Sequence, residues 1–114
     1  MATFGQLLRE KRRSAGITQR DLAARAGLDF SYISKLENDR IPPPAADTIV
    51  AICRVLGIEP QQLLASSGKL PAEIHSSVGS SAAAQSFLNS ASQMGLTEEE
   101  WQELTSSLHR LREN

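Results

Sequence analysis

Residues 18–38 decide the fold, and they read TQRDLAARAGLDFSYISKLEN. Two short segments of helical periodicity flank Gly27, which supplies the positive φ that a tight turn between helices needs. Thr18 is suited to begin the first helix, and Asp29 is suited to begin the second. The apolar side chains of the first helix are mostly small, which permits close packing. Residues 18–38 are therefore predicted to form two helices that cross at a short distance.

Helical periodicity continues on both sides of this pair, and no segment alternates as a half-buried strand does. Three further helices are predicted before residue 69, each beginning at a residue suited to an N-terminus and followed by a glycine. Their predicted limits are Thr3 and Gly16, Asp47 and Gly57, and Pro60 and Gly68. The sequence IPPP at residues 41–44 predicts a rigid extended spacer. Residues 1–68 are thus predicted to form a compact all-α domain of five helices.

The rest of the chain is richer in serine, and we interpret residues 69–79 as a linker. Beyond it, apolar residues that include Phe87 and Leu88 recur at helical spacing, and TEEE at residues 97–100 forms a capping box. The last helix carries a narrow apolar stripe formed by Trp101, Leu104, Leu108 and Leu111. Residues 80–114 are predicted to form a helical hairpin with more apolar surface than its two helices can bury together.

Charge is unevenly distributed along the chain. Residues 1–69 hold ten Lys or Arg and seven Asp or Glu, a net charge of +3. Residues 70–114 hold two basic and six acidic residues, a net charge of −4. A local basic surface matters more to a polyanion than the average charge does. The first region is therefore the candidate for contact with nucleic acid.

Other classes of function lack the residues they need. Cys53 lies in an apolar helical run and is predicted to be a small core residue, while His75 and His109 are isolated, so no metal site is predicted. No phosphate-binding glycine loop, carboxylate pair or Ser/His/Asp set indicates an enzyme or a cofactor. The chain has no signal-peptide pattern, and no apolar run approaches the ~20 residues of a membrane span. A cytoplasmic, nucleoid-associated protein is expected.

Three motifs share the register of one five-helix domain: GITQRDLAARAG at residues 16–27, SYISKLEN at 31–38 and VLGIEPQQLL at 55–64. Together they resemble the XRE family, the DNA-binding domain of phage Cro and repressor type, and the resemblance covers residues 4–65. It implies a lambda-repressor-like fold that binds double-stranded DNA. The helix at residues 29–37 would then be the recognition helix in the major groove.

The resemblance also implies which residues touch DNA. Base contacts are expected from Phe30, Ser31, Ser34 and Lys35. Phosphate contacts are expected from Thr18, Gln19, Tyr32, Asn38 and Arg40. Lys35 can donate to guanine O6 or N7, whereas Phe30 can only pack on a thymine methyl group. Two alternatives stay open: Phe30 packs on a neighbouring helix or on a second copy, and Tyr32 is a partly buried core aromatic.

A further set of residues is expected to support the motif. Gly27 forms the turn, Ile33 and Leu36 face the core, and the resemblance implies a pair between Arg12 and Glu37 that ties the first helix to the recognition helix. Two interpretations stay equally open for the other cations of this region: they contact phosphate, or they only face solvent. These cations are Arg9, Lys11, Arg13 and Arg20.

The resemblance implies a transcriptional regulator, expected to be a repressor that binds a palindromic operator as a homodimer, as relatives do. The dimer interface is expected on the C-terminal hairpin, through the apolar residues Phe87, Leu88, Trp101, Leu104, Leu108 and Leu111. Two alternatives for the hairpin are docking on its own domain and a disordered tail. An alternative function is an antitoxin-like or partner-controlled regulator whose C-terminal helices bind another protein.

Overall fold

The computed structural model describes residues 2–113, which contain eight α-helices and no β-strand. In chain order these are α1 Phe4–Ser14, α2 Gln19–Ala26, α3 Phe30–Glu37, α4 Ala46–Leu56, α5 Gln61–Ser67, α6 Ala72–Gly79, α7 Ala82–Met94 and α8 Glu98–Arg110. The chain divides into an N-terminal unit that ends at His75 and a C-terminal unit that begins at Ser76. The all-α prediction is confirmed. The outer ends of the two predicted domains, residues 1 and 114, lie outside the described residues.

Threonine side chains begin three helices, as the sequence predicts. Thr3, Thr18 and Thr97 each accept a hydrogen bond at 3.1 Å from the backbone N–H three residues further on. Each of these bonds satisfies an N–H group that has no partner within its helix. Gly27 ends α2 with a φ of 70°, which a residue with a Cβ adopts only at a cost. The predicted turn between α2 and α3 is confirmed.

Two aspartates that were expected to cap helices do not do so. Asp29 occupies the N-cap position of α3, but within residues 2–113 its side chain accepts no capping hydrogen bond. The prediction that Asp47 caps α4 is wrong, because the extended backbone of Ala45, directly after the proline spacer, already leads into a helix that begins at Ala46. Asp47 instead lies in the first turn, where its negative charge is favourable near the positive end of the helix dipole.

Most of the segment interpreted as a linker, residues 69–79, is helical. α6 covers Ala72–Gly79, and the carbonyl oxygen of Pro71 accepts hydrogen bonds from the backbone N–H groups of Ile74 at 3.0 Å and His75 at 3.2 Å. A proline suits this place, because its fixed φ fits a helix start and its missing N–H would have had no partner there. The segment interpreted as a linker is therefore helical over residues 72–79, and its role as a linker stays a prediction.

The N-terminal unit has a continuous apolar core. α1 packs against α3 and α5, α2 packs against α3 and α4, and α4 packs against α5. The largest fully buried apolar side chains are Leu8, Leu22, Ile33, Leu36, Ile49, Ile52 and Leu63. Cys53 is also buried there with a free thiol, and burial raises the pKa of that thiol above its ordinary value. The predictions that Cys53 is a core residue and that Ile33 and Leu36 face inward are confirmed.

The C-terminal unit has almost no core of its own. α7 and α8 are joined by a turn in which Gly95 has a φ of 60°, and α8 begins with the predicted capping box of Thr97 and Glu100. Among residues 76–113, only Ala91 is buried. The two predicted helices are confirmed, but in one chain they leave most of their apolar side chains exposed.

Candidate nucleic-acid interface

Helix α3 has a buried side and an exposed side. Ile33 and Leu36 are at most 1% exposed, whereas Ser31 and Lys35 are exposed and the Phe30 side chain is 41% exposed. Ser34 is half-buried. The four predicted base-contact residues fall at helical spacing on one face, and that face is not covered by the core.

The buried carboxylate of Glu37 joins three helices at the end of α3. Its Oε1 accepts hydrogen bonds from Arg12 Nη2 at 2.9 Å, Gln19 Nε2 at 3.1 Å and Arg9 Nε at 3.3 Å, and its Oε2 accepts one from Arg12 Nε. Arg12 Nη1 donates to the Ile17 carbonyl oxygen at 2.9 Å. The pair of Arg12 and Glu37 that the resemblance implies is therefore formed, and it is part of a larger network.

This network keeps two opposite charges inside the protein. Burial disfavours the charged form of Glu37, but hydrogen bonds from Arg12 and Gln19 outweigh it, so the pKa of the Glu37 carboxyl lies below its ordinary value. The hydrogen bond to Glu37 raises the pKa of Arg12. Within residues 2–113, every buried side-chain nitrogen or oxygen has a hydrogen-bond partner. The buried charges are thus paired, which is the condition for tolerating them in a core.

A second link joins the start of α1 to the end of α3. Asp39 Oδ1 accepts a hydrogen bond from the Gly5 backbone N–H at 2.9 Å, and Asp39 Oδ2 accepts one from the Thr3 hydroxyl. A Cβ on Gly5 would lie 2.7 Å from the Glu37 carbonyl oxygen and still closer to that of Leu36. The two helices approach so closely that only glycine fits. Asp39 itself has a φ of 55°, a conformation in which aspartate is tolerated better than most residues.

Three of the residues in these links, Arg9, Gly5 and Asp39, are not among the predicted support residues. A sequence signal existed for Arg9, because it precedes Arg12 by three residues and therefore shares its face of α1. For Gly5 and Asp39 no local pattern indicates the role, since it depends on the distance between α1 and α3.

The residues predicted to contact phosphate differ in their partners. Thr18 caps α2, and Gln19 donates one amide hydrogen to Glu37. Asn38 donates to the Ser34 carbonyl oxygen and accepts from Arg9, both at 2.8 Å, while Arg40 is exposed. Tyr32 is half-buried and packs against the core, as the alternative interpretation predicts.

Phe30 has a neighbour on the other helix of the motif. Arg20 Cζ lies 4.6 Å from the centroid of the Phe30 ring, so the guanidinium of α2 stacks on the first residue of α3. Arg20 is otherwise exposed. The cation therefore lies beside the face that carries the predicted base contacts.

Five of the six residues predicted for dimerisation are exposed, four of them on α7 and α8 and Leu111 directly after α8. Leu111 is 75% exposed and Leu108 is 62% exposed, and the exposures of Phe87, Leu88 and Trp101 lie between 37% and 49%. Leu104 is half-buried. A groove between the two helices is lined by Phe87, Trp101, Leu104, Leu108 and Leu111. This surface is apolar, and the other residues of the C-terminal unit do not cover it.

No group of three or more His, Cys, Asp or Glu residues within 2–113 could hold a metal ion. None of the helices in the described part of the chain has the length and apolar character that a bilayer crossing requires.

Comparison with known protein families and sequences finds helix-turn-helix proteins. Residues 8–63 match a family model described as helix-turn-helix. The uncharacterized HTH-type transcriptional regulator RghRB of Bacillus subtilis (strain 168) is 38% identical over 72 residues, which cover 63% of this chain and 52% of the relative. The chain thus spans about half the length of this curated relative.

Solved structures of regulators are similar to this fold. SinR, described as the master regulator for biofilm formation and crystallised in complex with DNA, matches with a TM-score of 0.52 and 27% identity over 54% of this chain and 98% of its own. The clp gene regulator ClgR from C. glutamicum matches with a TM-score of 0.50 and 28% identity, over 57% of this chain and 83% of its own. A SinR–SinI protein complex matches 96% of this chain and 98% of its own at 20% identity and a TM-score of 0.53, which is a likeness of fold alone.

Proposed function

Because the chain belongs to the XRE family of helix-turn-helix DNA-binding transcriptional regulators, we propose that it is a repressor that binds a palindromic operator as a homodimer. The observation that carries this proposal is the two-sided environment of α3. Its inner side is held by the apolar core and by the hydrogen bonds of Glu37, and its outer side is exposed to solvent. The likeness to SinR, which was crystallised with DNA, supports it. No catalytic activity is part of this function.

In this proposal α3 enters the major groove, and Lys35 is the principal reader of a base. Its ammonium can donate to O6 and N7 of guanine, and within residues 2–113 no group pairs with that ammonium. Ser31 and Ser34 add contacts of low selectivity, because a hydroxyl can donate or accept. Phe30, the first residue of α3, lies at the edge of the same exposed surface.

The phosphate contacts are proposed for Thr18, Gln19, Tyr32, Asn38 and Arg40. Gln19 is suited to this role even though it donates to Glu37, because a primary amide has two N–H donors and one remains available. Such contacts fix the position of the protein on DNA and specify no sequence. Because Gln19 also donates to Glu37, it would then connect the recognition helix α3 to the DNA backbone.

Dimerisation is proposed through the C-terminal unit. A single recognition helix reads few base pairs, and a two-fold dimer doubles the number that is read. The exposed apolar residues of α7 and α8, above all Leu108 and Leu111, supply a surface that a second copy could bury. The proposed organisation is thus a DNA-binding domain at residues 1–68, a connection at 69–79 and a dimerisation region at 80–114. The proposed location is the cytoplasm, in association with the nucleoid.

Selection of bound sites from random DNA tests this proposal directly. We expect a two-fold symmetric site whose half-sites are about 10 base pairs apart. Lys35→Ala should lose about 1–3 kcal/mol of specific binding and relax the preference at one position. Gln19→Ala should weaken binding to all sequences alike. A Lys35→Ala variant that keeps the full preference would contradict the assigned reading surface.

A second candidate function rests on the same exposed apolar surface. In a partner-controlled or antitoxin-like regulator, α7 and α8 would bind a different protein instead of a second copy. A chain of similar fold is known in a complex of two different proteins, SinR and SinI. Light scattering separates the two, because the first predicts a particle of twice the chain mass in purified protein. A monomer that captures one specific partner supports the second candidate.

A further inference from the structure

We infer that Phe30 is a platform that holds Arg20 for contact with a DNA phosphate, and that Phe30 is not itself a base-reading residue. The observation is the stacking of the Arg20 guanidinium on the exposed Phe30 ring, with 4.6 Å between Cζ and the ring centroid. The inference rests on the proposed function, since it adds a contact to the same DNA interface.

Arg20 differs from the other arginines that lie near α3. Arg9 and Arg12 donate to acceptors inside the protein, namely Glu37, Asn38 and the Ile17 carbonyl. In the described part of the chain, by contrast, the guanidinium of Arg20 makes no hydrogen bond or ion pair and lies over the ring of Phe30. All five of its N–H donors are therefore available to a ligand.

The ring fixes the direction of this free cation. An aromatic face attracts a guanidinium through its negative quadrupole, and stacking leaves the N–H groups at the edge of the plane pointing outward. An arginine that is already held in this way loses less conformational freedom when it binds. Phe30 has no donor or acceptor of its own, and the stacked guanidinium covers one side of its ring. Its contribution to DNA binding is therefore expected to pass through Arg20.

The position of Arg20 in the motif selects phosphate as the ligand. Arg20 is the second residue of α2, and in helix-turn-helix docking the first helix of the motif crosses the DNA backbone while the second enters the groove. The planar fork of an arginine matches two phosphate oxygens at once. A residue of α2 is therefore expected to contact a phosphate beside the groove, whereas residues of α3 are expected to contact the base edges within it.

A double-mutant cycle in the full-length protein tests this inference. Arg20→Ala, Phe30→Ala and the double variant are compared for binding to the selected operator and to unrelated DNA, each at several salt concentrations. Phe30→Tyr keeps an aromatic face and should bind as the unmodified protein does. Arg25→Ala is the matched control, because Arg25 is an exposed cation of the same helix whose loss changes the net charge equally.

We expect Arg20→Ala to raise Kd about tenfold on every DNA sequence, the scale of one charge-assisted contact. The slope of log K against log salt should fall by about one, as for one lost phosphate contact. Phe30→Ala should lose a similar factor, and the double variant should lose no more than Arg20→Ala alone. Arg25→Ala should change Kd by less than about twofold.

Three results would overturn the inference. Arg20→Ala could behave like Arg25→Ala, the losses of the two single variants could multiply fully in the double variant, or Arg20→Ala could alter preference at one base. Failure of the proposed function is distinguishable from these results, because the unmodified protein would then select no DNA sequence at all.

Discussion

Helices α1–α5 bury their large apolar side chains, whereas α7 and α8 leave theirs in contact with solvent. In the first group Leu8, Leu22 and Ile33 are fully buried, and even the charge of Glu37 is enclosed and paired. In the second group Leu108 and Leu111 are mostly exposed, and Ala91 alone is buried among residues 76–113. The same chain thus contains one region with a complete core and one whose core is missing.

This difference indicates different requirements for stability. Burying a leucine side chain contributes about 1.5–3 kcal/mol, and the N-terminal unit obtains this contribution many times within one chain. The C-terminal unit obtains it fully only if another surface covers α7 and α8. We therefore expect substitutions in the first unit to change folding and substitutions in the second unit to change association.

The largest effect is expected for Glu37→Ala. It leaves Arg12 buried without its partner, and it removes the acceptor of Gln19 as well. Breaking a buried ion pair in this way costs about 3–5 kcal/mol. The free energy of unfolding, measured in urea, should fall by this amount, while the association of the C-terminal unit stays unchanged.

Glu59→Ala is the control for that substitution, because Glu59 is exposed and lies outside the network. It should change the unfolding free energy by less than about 0.5 kcal/mol. A loss below 1 kcal/mol in Glu37→Ala would mean that the network does not stabilise the first unit.

Leu108→Ala should have the next largest effect. It should weaken the association of two chains and leave folding unchanged. In a symmetric dimer the substitution occurs twice, so about 3 kcal/mol of dimer stability is expected to be lost, or a Kd more than a hundredfold higher. The unfolding of the N-terminal unit should not change, because Leu108 is 62% exposed in one chain. Sedimentation or light scattering over a dilution series measures the dimer.

Gln102→Ala is the matched variant in the same helix, at an exposed polar position, and it should dimerise normally. If Leu108→Ala dimerises as well as Gln102→Ala does, the proposed interface is not the apolar surface of α7 and α8.

Gly5→Ala should destabilise the N-terminal unit by about 1–3 kcal/mol, the usual cost of overpacking. The added methyl group would meet the backbone carbonyl oxygens of Leu36 and Glu37, which cannot move without shifting the end of α3 away from α1. Urea unfolding measures the stability, and operator binding should weaken as well because α3 shifts.

Gly79→Ala provides the comparison, since a Cβ there meets no atom within 4 Å and the residue lies in a helix. It should be neutral or slightly stabilising, as alanine is the better helix former. Equal losses in Gly5→Ala and Gly79→Ala would contradict a specific close approach of α1 and α3.

The features that the sequence predicts well are the local ones. The caps at Thr3, Thr18 and Thr97 and the turn at Gly27 depend on residues at most a few positions apart, so their pattern is visible in the sequence. The inward positions of Ile33 and Leu36 follow from periodicity in the same way.

Two local predictions failed, namely the caps at Asp29 and Asp47, and the other missed features depend on distances between helices. The link from Gly5 to Asp39 exists because α1 and α3 approach at one point, and helical periodicity contains no information about that approach. The stacking of Arg20 on Phe30 is likewise a contact between two helices. The residues predicted to contact DNA lie on α3 or beside it, but Tyr32 is half-buried against the core, and all contacts with DNA stay predictions.

The smallest effect expected is a dependence of the stability of the N-terminal unit on acid pH. The pKa of Glu37 is lower in the folded protein than the ordinary value of a glutamate, because Arg12, Gln19 and Arg9 donate hydrogen bonds to its carboxylate. The unfolded chain therefore binds the proton more readily, and stability increases with pH in this range. The contribution of Glu37 is fully present above its ordinary pKa and is lost as the pH falls from there through the lower folded-state value.

Urea unfolding between pH 7 and pH 3 measures this loss, and Glu37→Gln identifies its source. The amide keeps an acceptor for Arg12 but does not titrate, so the variant should be less stable at pH 7 and should lose less on acidification. Equal losses in the two proteins would show that other carboxylates control the acid response. The proposed dimer interface contains neither Glu37 nor Arg12, so dimer formation is expected to be the same in both proteins at each pH. This contrast would separate the effect of the paired charge in the first unit from that of the apolar surface in the second.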